Sequence, residues 1–110
     1  MVSEFLKERL QLHVKHLDDL YLEQKNINID IDETRRFITI LEKEADRSTS
    51  SFSPYILEEK DKDKIIELRS KLHALQEQII NISNQIDEEN LIVNQYKSVI
   101  IEAEDLEKGK

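Results

Sequence analysis

The feature that most constrains this chain is a pair of long apolar seams. Reading from Ser3, residues three and four apart give Leu6, Leu10, His13, Leu17, Leu20, Gln24, Ile27, Ile31, Thr34, Ile38, Leu41 and Ala45, an unbroken heptad pattern. A second seam runs Ile65, Leu68, Leu72, Leu75, Ile79, Ile82, Ile86, Glu89, Val93, Tyr96, Ile100 and Ala103. A repeat of this period, held for so long, fits an α-helix whose apolar stripe lies against another helix. The chain holds one Gly and one Pro, leaving little to punctuate a sheet-rich fold.

Only the stretch from Asn26 to Asp32 argues otherwise, because its isoleucines alternate with polar residues as a half-buried strand would. Ile27 and Ile31 nevertheless continue the seam in phase, and a lone strand there would leave its backbone groups unpartnered. The segment is read as helix, and as the weakest part of it, since Asn, Asp and β-branched residues are mediocre helix formers.

The first seam gives way to a hydroxyl-rich segment ending in Phe52-Ser53-Pro54, where side chains compete for the backbone and Pro54 cannot continue a helix. Ser53 and Asp61 are candidate helix caps. The expected organisation is a single all-α domain over 1–110: a helix over about 3–47, a turn over about 48–60 and a helix over about 61–107. Two helices of about 45 residues joined by a turn form a long antiparallel coiled-coil hairpin, a rod roughly 65 to 70 Å long.

A turn centred near Ile56 and Leu57 predicts that residues at one level have numbers adding to about 113. Gln24 then meets Glu89, the two central polar breaks, as a polar core layer in which the amide donates to the carboxylate. The same register brings Arg35 and Arg36 to Glu77, and Lys25 to Glu88.

Additional apolar residues widen the stripes at the end holding the two termini. They are Phe5, Leu12, Val14, Tyr21 and Leu22 on the first helix, and Leu91, Ile92, Val99, Ile101 and Leu106 on the second. Two helices cannot cover this much apolar surface, so the expectation is a homodimer in which two hairpins pair there as a four-helix bundle. Near the turn, Phe52, Tyr55, Ile56 and Leu57 are expected to fold back over the open end of the seam; the alternative is a docking tip for another protein.

Acidic residues outnumber basic ones by 24 to 16, for a formal charge of −8, which repels phosphate backbones and anionic lipid. Nucleic acid is not an expected partner. No apolar run approaches the ~20 residues of a membrane span, and Met1 to Leu10 is too charged for a secretory signal, so a cytoplasmic setting without membrane insertion is expected. The absence of cysteine removes disulfides and thiol chemistry.

Sites for chemistry are few. His13 and His16 lie one helical turn apart, followed by Asp18 and Asp19, but the seam takes His13 inward and leaves His16 on its flank, so no metal site is expected. His16, as an exposed helical imidazole, is the candidate for phosphotransfer, and His73 is expected to be solvated. The carboxylate pairs Asp18-Asp19 and Glu88-Glu89 have no cleft to raise a pKa, and no phosphate-cradling glycine loop or nucleophile with a base is present. No cofactor and no catalytic residue is expected.

A seamed helix, a turn holding Phe52-Ser53-Pro54, and a charged Glu58-Glu59-Lys60-Asp61 run feeding a second seamed helix together resemble the coiled-coil sensor region that precedes the kinase core in DegS-type histidine kinases of Gram-positive bacteria. That resemblance implies dimerisation and signal relay by helix packing, without the ATP-binding or phosphoacceptor motifs of the kinase itself. The alternative is a free-standing adaptor or chaperone-like protein that binds a partner helix on its wide apolar surface.

Overall fold

The computed structural model describes residues 2–50 and 59–109, with side chains described for 2–44 and 62–109. Two helices account for them, α1 (Val2–Ser50) and α2 (Glu59–Lys108). Both reach slightly beyond the ranges expected from the seams. Among the described residues there is no strand, no cis peptide and no positive φ. Glu4 in the first turn of α1 and Lys108 in the last turn of α2 complement the helix dipoles. Ser53 and the apolar tip from Phe52 to Leu57 lie outside the described residues, whereas Asp61, the other expected cap, lies inside α2, which already begins at Glu59.

The alternating Asn26–Asp32 segment is helical throughout. Ile27 and Ile31 are buried, whereas Ile29, between them, is exposed. Tertiary burial at the seam therefore overrides the modest propensity of this segment, as is general when a helix has an apolar face to cover.

The chain divides into two compact units. One comprises Met1–Lys25 with Asn81–Lys110, the other Asn26–Ile80, so each contains a stretch of both helices. In the first unit the helices run antiparallel: Ser3 Oγ donates to Glu107 Oε2 at 3.0 Å, Lys7 Nζ lies 2.6 Å from Glu104 Oε1, and Gln24 Nε2 donates to Ser83 Oγ at 3.3 Å. Its core is Leu20, Ile82, Ile86, Val93 and Ile100. In the second unit the core is Ile27, Ile31, Ile38 and Leu75, and Arg69 pairs with Glu42 across the helices.

Every described position of the two predicted seams is buried or half-buried. The antiparallel hairpin read from periodicity is the observed fold. The register differs. Ser3 meets Glu107, Lys7 meets Glu104 and Glu42 meets Arg69, each partner lying a few residues earlier in α2 than a turn centred on Ile56 and Leu57 would place it. The gap from Ser50 to Glu59 is centred ahead of Ile56, because α2 already begins at Glu59.

A two-helix core is thin. No described side chain falls below 2% exposure, even at the seam, where the most deeply placed apolar residue, Leu20, retains 4%. Burying such a side chain contributes about 1.5–3 kcal/mol, and this must offset the conformational entropy of ordering two long helices.

Candidate association interface

The polar breaks in the seams sort into three different arrangements. Thr34 is buried, and its Oγ1 donates to the Asp30 carbonyl at 2.7 Å, so its own helix satisfies it. Gln24 is half-buried and bonds Ser83 rather than Glu89. The expected Gln24–Glu89 layer is thus two separate contacts, a consequence of the shifted register. Glu77 bonds His73 one turn away on its own helix rather than Arg35 or Arg36.

Glu89 is the most unusual of the three. It is 7% exposed, the one carboxylate in a seam otherwise made of aliphatic residues and Tyr96. His13 Nδ1 donates to Glu89 Oε1 at 2.5 Å, and His16 Nδ1 lies 3.4 Å from Oε2. The His13 ring rests against Tyr96, with centroids 5.1 Å apart. Each carboxylate oxygen therefore has an imidazole partner, in keeping with the rule that buried charge is tolerated only when paired and hydrogen-bonded.

This layer corrects the expectation that His13 and His16 do not converge with a carboxylate. They do, and the carboxylate comes from α2 rather than from Asp18 or Asp19. Sequence reasoning held every residue of the layer but missed the contact, because on the register of Lys7–Glu104 and Tyr21–Asn90 the carboxylate of Glu89 meets imidazoles about a heptad away from its own level. Among the described residues, no group of three or more such side chains is arranged to hold a metal ion. His16 remains the exposed imidazole of the pair, at 58% against 29% for His13. His73 is largely solvated, 3.1 Å from Glu77 Oε1.

Of the ten apolar residues expected to widen the stripes at the end holding the termini, nine are exposed, from 38% for Val14 to 72% for Leu106, and Ile92 is half-buried. The second unit also carries exposed apolar side chains, at Ile29, Phe37, Ile40, Ile66 and Ile80. The surplus is therefore not confined to the end with the termini. These residues sit among charged neighbours, which masks them in a scan for wide apolar stripes.

The heptad places these side chains on different sides of the helix pair. With Ser3 at a and Leu6 at d, antiparallel helices bring e positions against e and g against g. Lys7–Glu104, Tyr21–Asn90 and Glu42–Arg69 are all e–e contacts. In the first unit the e side is thus closed by polar contacts between the helices. Mutual pairing holds the Glu104 carboxyl below its ordinary pKa and the Lys7 ammonium above its own, in both cases chiefly through the hydrogen bond between them.

The g side of this unit carries one polar bridge between the helices, from His16 at g to Glu89, and is otherwise different. Val2 on α1, and Ile92, Val99 and Leu106 on α2, occupy successive g positions, with Phe5 and Leu12 next to them at c. A shallow groove lined by Leu6, Gln95, Tyr96 and Val99 opens on this side. No helix is long and apolar enough among the described residues to cross a membrane, so the apolar surface is not that of a spanning segment. Comparison with family models, with curated proteins and with solved structures gave no match to this chain.

Proposed function

We propose that the chain is a non-catalytic helical module that works by association, dimerising through the apolar surface of its first unit and relaying a signal by helix packing. The observation that carries this reading is the row of exposed apolar side chains left after the hairpin has closed its own seam, Phe5, Leu12, Val99 and Leu106 foremost. Contiguous apolar surface rimmed by charge marks an interaction site far more often than it marks bare surface. The seam, turn and charged run that resemble the sensor region of DegS-type kinases give the reading its setting: a cytoplasmic sensor segment of a bacterial histidine kinase, with dimerisation as its first task.

Light scattering across a dilution series tests the proposal. A dimer persisting into the low micromolar range supports it, and a monomer at every concentration overturns it. A second reading, an adaptor or chaperone-like protein that seats a partner helix, is favoured by the apolar side chains of the second unit. There a groove lined by Thr34, Phe37 and Leu68 is flanked by Asp30, Glu33, Lys64 and Lys71. A monomer that gains helix only with an added partner peptide selects this alternative.

A further inference from the structure

Resting on the adaptor reading, we infer that the groove of the second unit seats one amphipathic helix of a partner protein, apolar along one stripe, basic along one edge of that stripe and acidic along the other. The α1 wall of the groove is acidic, from exposed Asp30 and Glu33, and its α2 wall is basic, from exposed Lys64 and Lys71. Between them lie buried Thr34, half-buried Leu68 and the ring of Phe37, which is 56% exposed. The Thr34 hydroxyl already donates to the Asp30 carbonyl, so the floor asks for an apolar side chain. Among the described residues no ion pair spans the groove. Lys64 pairs with Glu67 on its own helix, at 3.5 Å, and opposite charges thus face each other across the gap without meeting.

The lining sets the form of the occupant. Asp30 and Phe37 stand a heptad apart on α1, as do Lys64 and Lys71 on α2, so the walls repeat at the interval of a third helix laid alongside. An extended peptide needs a sheet edge to join, and the described residues contain no strand. A small molecule is held in a cleft that buries most of its surface, whereas all four charges here are exposed along an open groove of about 310 Å³. A helix instead lays one or two apolar side chains over Phe37 and Leu68 and reaches both walls from its own flanks. The charges also fix its direction. A helix with one basic and one acidic edge presents the basic edge to α1 in one orientation only, and turned end for end it sets like charges against each other on both sides.

The test titrates the full chain, by fluorescence anisotropy, against three synthetic helical peptides that share one leucine stripe. The first carries lysine along one edge and glutamate along the other, the second glutamate along both, the third lysine along both. Asp30→Lys with Glu33→Lys makes both walls basic at exposed sites, while the chain stays net negative. Expected is an affinity for the split-charge peptide reduced about tenfold and a gain of about tenfold for the all-glutamate peptide, which then overtakes it against the overall charge of the chain. Phe37→Ala should weaken whichever peptide is bound. Asp18→Lys with Asp19→Lys, the same charge change in the first unit, should leave the order of the peptides alone. A wild-type chain that binds none of the three ends the adaptor reading itself. An order that ignores the wall, or that changes equally in the Asp18 and Asp19 control, overturns the partner assignment and leaves that reading standing. A wild-type dimer that dissociates on Asp30→Lys with Glu33→Lys also overturns the assignment, since a second copy then occupies the groove.

Discussion

Replacing Glu89 by two different residues should have opposite effects, and the structure sets the sizes. Glu89 is 7% exposed and accepts one short hydrogen bond, from half-buried His13, and one long contact from largely solvated His16. A hydrogen bond to a charged group contributes about 1.5–3 kcal/mol. An exposed ion pair adds about 0–1 kcal/mol. Glu89→Ala removes both contacts and the packed methylene stem, and should cost about 2–3 kcal/mol, held to that range because His13 can turn to water. Glu89→Leu restores a seam residue where the heptad wants one. Replacing a buried ionic group by a well-packed apolar one is commonly neutral or stabilising, so this variant should lie between no change and about 2 kcal/mol more stable than the parent. The assay is urea unfolding followed by circular dichroism, at neutral pH and one fixed protein concentration, since association would shift every midpoint. A Glu89→Leu variant as unstable as Glu89→Ala would refute the reasoning, because the carboxylate would then supply net stability that no leucine can replace.

Two further outcomes are expected. Ile31→Ala should cost about 2–4 kcal/mol by opening a cavity in the seam, while Ile29→Ala should stay within about 0.5 kcal/mol; equal costs at both positions would favour the strand-like reading of this segment. For Lys7 and Glu104, the depressed Glu104 pKa contributes stability above its unfolded value that is lost as acid takes pH down through the folded value, and the raised Lys7 pKa contributes stability lost only as pH climbs through its own folded value in strong alkali. Glu104→Gln should therefore flatten the acid limb of a melting-temperature profile at low salt, and high salt should erase the difference because the pair is exposed.

What was legible in the sequence, and what was not, divides along one line. Periodicity assigns each residue a place around its own helix, so every described seam position was identifiable, including Ile27 and Ile31 inside a stretch that looks like a strand. Pairing across the helices depends on where the turn is centred. A displacement of a few residues separated Gln24 from Glu89 and gave it Ser83, while the contact of Glu89 with His13 joins positions about a heptad apart in level. A chemical signal for the contact was present, since His13 and Glu89 are the imidazole and the carboxylate among the few polar interruptions of the seams. Exposed Phe37, Ile40 and Ile66 escaped for another reason: each is an isolated apolar residue off the seam, and only accessible area distinguishes a free side chain from one folded over its neighbours.

The contacts Ser3–Glu107 and Lys7–Glu104 place the beginning of α1 beside the end of α2. Tension applied through Val2 and Lys108 would accordingly peel the pair open rather than shear it, loading these two contacts before any deeper layer carries strain. Each layer would yield in turn, at a force set by one contact instead of by the sum of all of them.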